Sequence, residues 1–185
     1  YPYDPDRANQ LLDEAGFARG AGGMRFTLRL IWPAVGDTYD RAGQFLRQQF
    51  REVGVDLVLQ SADVPTFIRQ VYQEYDFDLS MFPSSVTADP TIGSHRFYHS
   101  QFIRQGTPFV NASGYDNPKM DEVLDAAAVE PDPDKRRALF HEFQRIAMED
   151  LPILPLARPI YVTIANARLK DFMTGPEGVR NGLGA

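Results

Sequence analysis

Three stretches of the chain repeat apolar residues every three or four positions, and each opens with the same device. Asp4-Pro5, Asn117-Pro118 and Asp132-Pro133 set a side-chain acceptor before a proline. That is an N-cap followed by the first helical position, where a missing N–H is harmless. Ala8, Leu11, Leu12 and Ala15 follow the first start, with Gly16 as the stop. Met120, Val123, Leu124 and Ala127 follow the second; Leu139, Phe143, Ile146 and Ala147 follow the third. The spacing predicts three amphipathic helices, each with one face to bury.

Between the first and second of these the rhythm changes. Phe26, Leu28 and Leu30 alternate with Thr27, Arg29 and Ile31, which predicts a strand ending at Trp32-Pro33. Tyr39, Ala42, Phe45, Leu46, Phe50 and Val53 return to helical spacing, closed by Gly54. Val55 to Leu59 reads as a second strand, Pro65 to about Glu74 as a short helix, and Phe77 to Phe82 as a third strand. Strand, helix, strand, helix, strand implies βαβ units, hence an α/β fold with a mostly parallel sheet flanked by helices and right-handed crossovers. Leu151–Leu156 and Ile160–Ile164 read as two further strands, which Pro152, Pro155 and Pro159 confine to an edge or a kinked crossing. Residues 83–116 are rich in Ser, Thr, Gly, Pro and Asn. A connection this long inside a domain is usually functional or disordered, and Phe97, Tyr98, Phe102, Phe109 and Tyr115 argue that it is ordered.

Composition narrows the function classes. With 43% hydrophobic and 12% aromatic residues in 185 positions, the chain can build a core, so wholesale disorder is excluded. Its formal net charge of −6, with no basic run, argues against a nucleic-acid partner. The absence of cysteine removes disulfides, thiolate metal sites and a cysteine nucleophile. No apolar run reaches the roughly 18–20 residues of a membrane span. The phosphate-cradling GxxxxGK[ST], the G-x-S-x-G elbow, H-E-x-x-H and a Rossmann glycine triplet are all missing; Gly20, Gly22 and Gly23 precede a strand rather than follow one.

The order of the pieces resembles the C-terminal lobe of the extracellular (periplasmic) solute-binding proteins that serve peptide, nickel and opine ABC importers. The residues that carry the resemblance are Tyr3-Asp4-Pro5-Asp6-Arg7-Ala8 through Leu11 to Phe17, the Phe45–Val55 helix and Gly-Val strand, and Tyr75-Asp76-Phe77-Asp78-Leu79. Ser113-Gly114-Tyr115-Asp116-Asn117-Pro118 and Arg136 to Pro152 complete it. The resemblance implies a periplasmic-binding-protein-like lobe over residues 1–172, with 173–185 as a tail or return segment. It also implies a fragment of a two-lobed protein, a peptide-like or related small solute held between this lobe and a missing N-terminal one, and an ABC permease as partner. The implied location is the periplasm, or the outer face of the membrane if the source is Gram-positive. No bond would be made or broken, and no cofactor is expected. The alternative is a small hydrolase or metal-dependent enzyme using the 83–116 loop; Ser84, His99 and Asp89 supply the residue types of a triad.

In open α/β sheets, ligands sit at the carboxyl ends of the parallel strands. That places Trp32 and Thr38 after the first strand, and Ser84, Ser85, Thr87 and Asp89 after the third, as the candidate ligand-binding residues. Trp32 could stack on a solute or pack half-buried on the following helix. Thr38 opens a helix whose backbone N–H groups could receive a carboxylate. The serines and Thr87 offer neutral hydroxyls or turn chemistry; Asp89 before Pro90 is either a cleft carboxylate or a helix cap. The peptide-binding branch of the family has a Gly-Trp pair and then an Asp that meets the ligand's α-amine. Here Phe82-Pro83-Ser84-Ser85-Val86-Thr87 stands in that stretch, so a free α-amine lacks its partner. His95 and His99, four apart, would share a helix face as metal-binding histidines do. The sequence offers no obvious third ligand, and no metal is expected. His141, and Glu74, Asp76 and Asp78, read as surface residues.

Overall fold

The structure, a computed structural model, describes residues 2–84, 89–157, 164, 166 and 168. The chain divides into two compact units. The first holds the residues up to Ser84 together with Gln105–Pro108; the second holds those between, and those from Phe109 on.

The first unit is the α/β part. Helix α1 (Pro5–Glu14) begins at Asp4, whose side chain accepts from the Arg7 amide. Strand β1 (Phe26–Pro33) leads into α2 (Asp37–Glu52), then β2 (Val55–Ala62) and α3 (Val64–Ile68). A π-helical turn over Arg69–Glu74 continues α3, and β3 is only Leu79–Ser80. Among the described residues the sheet has three parallel strands in the order β2-β1-β3, with Phe26 opposite Val55 and Leu30 opposite Leu79.

Alternation along β1 sends Leu30 and Trp32 to one face. There they join Val55, Leu57 and Met81 under Tyr39, Ala42, Leu46, Phe50 and Val53 of the α2 region and Leu12 of α1. Ile31 points the other way and is also buried. A strand covered on both faces is what a parallel sheet requires. The expected third strand, Phe77–Phe82, shrinks to two residues because side chains take the place of ladder partners. The backbone N–H of Arg29 on β1 donates not to a strand carbonyl but to Asp78 Oδ2 at 2.7 Å. The Arg29 side chain also holds Asp76 and Asp78, so those carboxylates displace the ladder before Leu79. Met81 adds one more bond, to Ile31 O at 2.9 Å, and Pro83 ends the run.

A clamp that pattern reading does not reveal ties this unit together. Arg25 has a side chain only 1% exposed. Its guanidinium donates to Val53 O, Asp13 Oδ1, Phe17 O and Asn9 Oδ1, joining α1, the turn after it and the end of α2. Beside it Gly54, at φ +85°, leaves no room for a Cβ against Arg25 Cγ and Gly23 O, each 3.0 Å from where that atom would lie.

The second unit is helical. The long loop expected at 83–116 folds in part into α4 (Pro90–Gly93), α5 (His95–Tyr98) and a 3₁₀ turn at Ser100–Phe102. Helices α6 (Pro118–Val129) and α7 (Pro133–Asp150) start at Asn117 and Asp132, each accepting two backbone amides. Met120, Val123, Leu124, Phe143, Ile146 and Ala147 form their shared core, with Tyr98 and Tyr115 against it. The strand expected at Leu151–Leu156 does not form. Leu151 closes α7 in the left-handed conformation (φ 48°), and Pro152 and Pro155 lack the donors a ladder needs. Of the strand expected at Ile160–Ile164, all but Ile164 lies outside the described residues. Among the described residues no helix is long and apolar enough to cross a membrane.

Candidate functional site

In the first unit, the carboxyl ends of β1 and β3 open onto the stretches expected to meet a ligand. Beyond β1, Gly36 sits at φ 131° and starts α2 without any side-chain cap. Helices α1, α6 and α7 are all capped by a carboxylate or an amide. The first-turn amides of α2 around Thr38 therefore have no side-chain acceptor of that kind, and Thr38 is exposed. Asp37 and Asp40 share that turn. They offset the positive end of the helix dipole, which lowers the pull of this turn on a strong anion. Ser84, exposed beyond β3, offers a second hydroxyl.

Trp32 takes the packing role. It is 3% exposed. Its ring lies over Gly43 of α2 so closely that a Cβ there would fall 2.8 Å from the ring, and Nε1 donates to Asp40 Oδ1 at 2.8 Å. The missing side chain at Gly43 is what admits the indole. Ser85 and Thr87 lie outside the described residues.

In the second unit, Asp89 takes the capping role. Its side chain accepts from Thr91 N and Thr91 Oγ1 at the start of α4. Arg136 of α7 donates to both of its oxygens, at 2.8 and 2.9 Å. The Arg136 guanidinium, with help from Thr91, holds the Asp89 carboxyl well below the usual carboxylate range. Arg136 is itself fixed by Ala127 O, and it lies over the Phe140 ring.

The same unit assembles a cluster that the sequence reading left incomplete. His95 and His99 lie side by side, with ring centroids 4.8 Å apart and ring planes tilted by 33°. Asp125 of α6 brings Oδ1 to 3.2 Å from His99 Nε2 and 3.7 Å from His95 Nε2. Burial, aided by the neighbouring His99, pushes the His95 imidazole below its ordinary pKa. The available signal was a double one. Asp121 and Asp125 are four apart on one helix, as the two histidines are in their segment, but 26 residues separate His99 from Asp125. Of the triad types, Asp89 is engaged by Arg136 and Thr91, and His99 by Asp125 and the Gln101 amide. Asp76 and Asp78 pair with Arg29, Glu74 pairs with Arg69, and His141 is exposed, as expected of surface positions.

Comparison with known proteins places these features in context. The family model described as bacterial extracellular solute-binding proteins, family 5 Middle, matches residues 1–106. A Brucella ovis protein provisionally named an ABC transporter peptide-binding protein is 27% identical over 182 residues, 95% of this chain and 33% of that protein. The glutathione-binding protein GsiB of Salmonella typhimurium is 26% identical over 188 residues, 96% of this chain and 34% of GsiB. The crystal structure of NikZ from Campylobacter jejuni, in complex with Ni(L-His), superposes with a TM-score of 0.73 at 20% identity. It covers 82% of this chain and 31% of NikZ. The chain thus spans about a third of the length of the curated relatives it matches, and the likeness to NikZ is one of fold.

Proposed function

Because the chain belongs to family 5 of the bacterial extracellular solute-binding proteins, we propose that residues 1–172 supply one lobe of a solute receptor for an ABC importer. The receptor works in the periplasm or on the outer face of the membrane. It captures a peptide-like or related small solute and presents it to a permease. It is not an enzyme: the solute shifts the equilibrium toward a closed state by the added contacts it makes there. The hydrolase alternative finds Asp89 engaged by Arg136 and Thr91, and His99 by Asp125 and the Gln101 amide.

The observation that carries this reading is the open carboxyl edge of β1 and β3, with Thr38 exposed at an uncapped helix start and Ser84 exposed beyond the neighbouring strand. Thr38, Ser84, Ser85 and Thr87 would meet the solute through neutral hydrogen bonds. Trp32 would serve indirectly by seating α2 against β1, and Asp89 by holding the start of α4 within the second unit. A buried ammonium needs a carboxylate partner, and the residues after β3 run Phe82-Pro83-Ser84-Ser85-Val86-Thr87. Recognition at this edge would therefore not rest on a free α-amine.

The test is to identify by mass spectrometry the solute retained by the full-length receptor. Its affinity is then measured for the wild type and for the Ser84→Ala, Ser85→Ala, Thr87→Ala triple variant. Losing three neutral hydrogen bonds at about 0.5–1.5 kcal/mol each should weaken binding about tenfold or more, with melting almost unchanged. Unaltered affinity would move the site elsewhere. Tight binding of a free dipeptide that N-acetylation abolishes would overturn the amine-independent reading.

A further inference from the structure

His95, His99 and Asp125 bring two imidazoles and a carboxylate to one point in the second unit, with donor atoms all within 4.8 Å of one another. Tetrahedral coordination at 2.0–2.1 Å bond lengths sets ligand atoms about 3.3–3.4 Å apart. The two edges to Asp125 Oδ1, 3.2 and 3.7 Å, already bracket that spacing. The two histidine side chains are 12% and 9% exposed, whereas Asp125 is 67% exposed. The cluster is thus anchored on one side and open to solvent on the other.

A cluster of this kind could be a plain hydrogen-bonded packing feature, but one atom does not fit that account. His95 Nε2 is buried and has no hydrogen-bond partner among the described residues. A buried ring nitrogen without a partner is costly, and this one is the atom that faces Asp125. The surroundings supply what a cation would need. Asp121 Oδ1 lies 3.3 Å from His99 Nδ1, and Asp121 is itself held by the Ser100 amide at 2.9 Å and by the Ser100 hydroxyl. With the proton on Nδ1 facing Asp121, His99 Nε2 is released to coordinate; that is the carboxylate–histidine–metal relay that orients a ligating imidazole. The Gln101 amide donates to the same Nδ1 at 3.1 Å, a bond that the Nδ1-protonated tautomer would exchange for the one to Asp121. Asp121 and Asp125 together balance a charge of +2, and the Phe102 ring stands roughly perpendicular to both imidazoles.

We propose that His95, His99 and Asp125 bind one divalent transition-metal ion of the class that imidazole and carboxylate ligands select, such as Zn²⁺, leaving the solvent-facing coordination position open. The ion would join the α5 segment to α6. It goes beyond solute capture and does not depend on it.

The experiment uses the full-length chain stripped with EDTA. Zn²⁺ is titrated by calorimetry, Co²⁺ by its visible d–d absorption, and melting is followed with and without Zn²⁺. One ion per chain is expected, with a tetrahedral-type Co²⁺ spectrum and a higher melting temperature in Zn²⁺. Asp125→Asn, at an exposed position that should fold normally, and His95→Ala should each weaken Zn²⁺ binding by about 100-fold or more and abolish the melting shift. Asp121→Asn should weaken it by about 10–100-fold. His141→Ala, on the exposed face of α7, should change nothing. Failure of the wild type to bind stoichiometrically, or wild-type affinity in Asp125→Asn, would overturn the proposal whatever the receptor's solute affinity proves to be.

Discussion

Replacing Gly43 by alanine sets two effects of opposite sign against each other at one atom. Gly43 lies inside α2, where alanine is favoured over glycine by about 1 kcal/mol. A Cβ there would sit 2.8 and 2.9 Å from two atoms of the Trp32 ring, closer than ordinary van der Waals contact by about half an ångström. The ring is rigid and cannot yield atom by atom. It is pinned by its bond to Asp40 and by burial among Leu30, Val55, Leu57 and Met81, so relief means shifting the indole or the helix. Overpacking of that kind costs about 1–3 kcal/mol. Gly43→Ala should therefore destabilise the protein by about 1 kcal/mol net. In a Trp32→Leu background the ring is gone and the sign should reverse, the same alanine stabilising by about 1 kcal/mol. The coupling between the two positions is then about 2 kcal/mol, well beyond the additivity error of distant sites. Urea unfolding followed by far-UV circular dichroism compares all four proteins. Trp32, the only tryptophan, adds a fluorescence reading specific to the first unit in the two that retain it. A stabilising Gly43→Ala in the wild type, or equal effects in both backgrounds, would refute the close-contact argument.

Three further outcomes follow from the structure. Arg25→Ala removes a buried guanidinium that serves acceptors on Val53, Asp13, Phe17 and Asn9; it should cost about 3 kcal/mol, and a loss under 1 kcal/mol in urea unfolding would contradict the clamp. Asp89→Asn should cost about 1 kcal/mol at neutral pH, a figure held low because the pair with Arg136 is partly solvated. Since the folded carboxyl titrates well below its ordinary value, that stabilisation is present above about pH 4 and fades as the pH falls below it. The gap between wild type and variant should therefore close in acid, and a constant gap would dissociate Asp89 from Arg136. Burial, together with the bond it donates to Asp150, pushes the Tyr115 hydroxyl up to about 12. The stability it confers is intact below about pH 10 and is lost as pH rises through that higher value. A difference titration against Tyr115→Phe should show one tyrosinate appearing near pH 12, whereas ionisation near 10 would place the hydroxyl in solvent.

How far the site was legible depends on how far apart its parts lie in the chain. The carboxyl-edge stretches could be located because strand direction follows from the βαβ order, and Thr38 and Ser84 are exposed where that order puts them. The role of Trp32 could not be read. Stacking outward and packing inward suit the same strand-end position, and Gly43, eleven residues on, decides between them. Asp89 is similar: its cap to Thr91 is local and was foreseeable, but its pairing with Arg136 spans 47 residues. The histidines were visible as a pair, and the third donor was not.

The sequence by itself determined the helix starts at Asp4, Asn117 and Asp132, the buried faces of those helices, and the parallel strand–helix alternation of the first unit. Caps, helical faces and strand alternation depend on residues within about four positions of one another, so their energetics are written locally. Only the tertiary structure decided that β3 is two residues long, that Arg25 is buried, and that Asp125 meets His95 and His99. Each of those outcomes is a competition for one backbone N–H, one carbonyl or one buried volume between groups distant in the chain, and it is settled only when folding brings the competitors together.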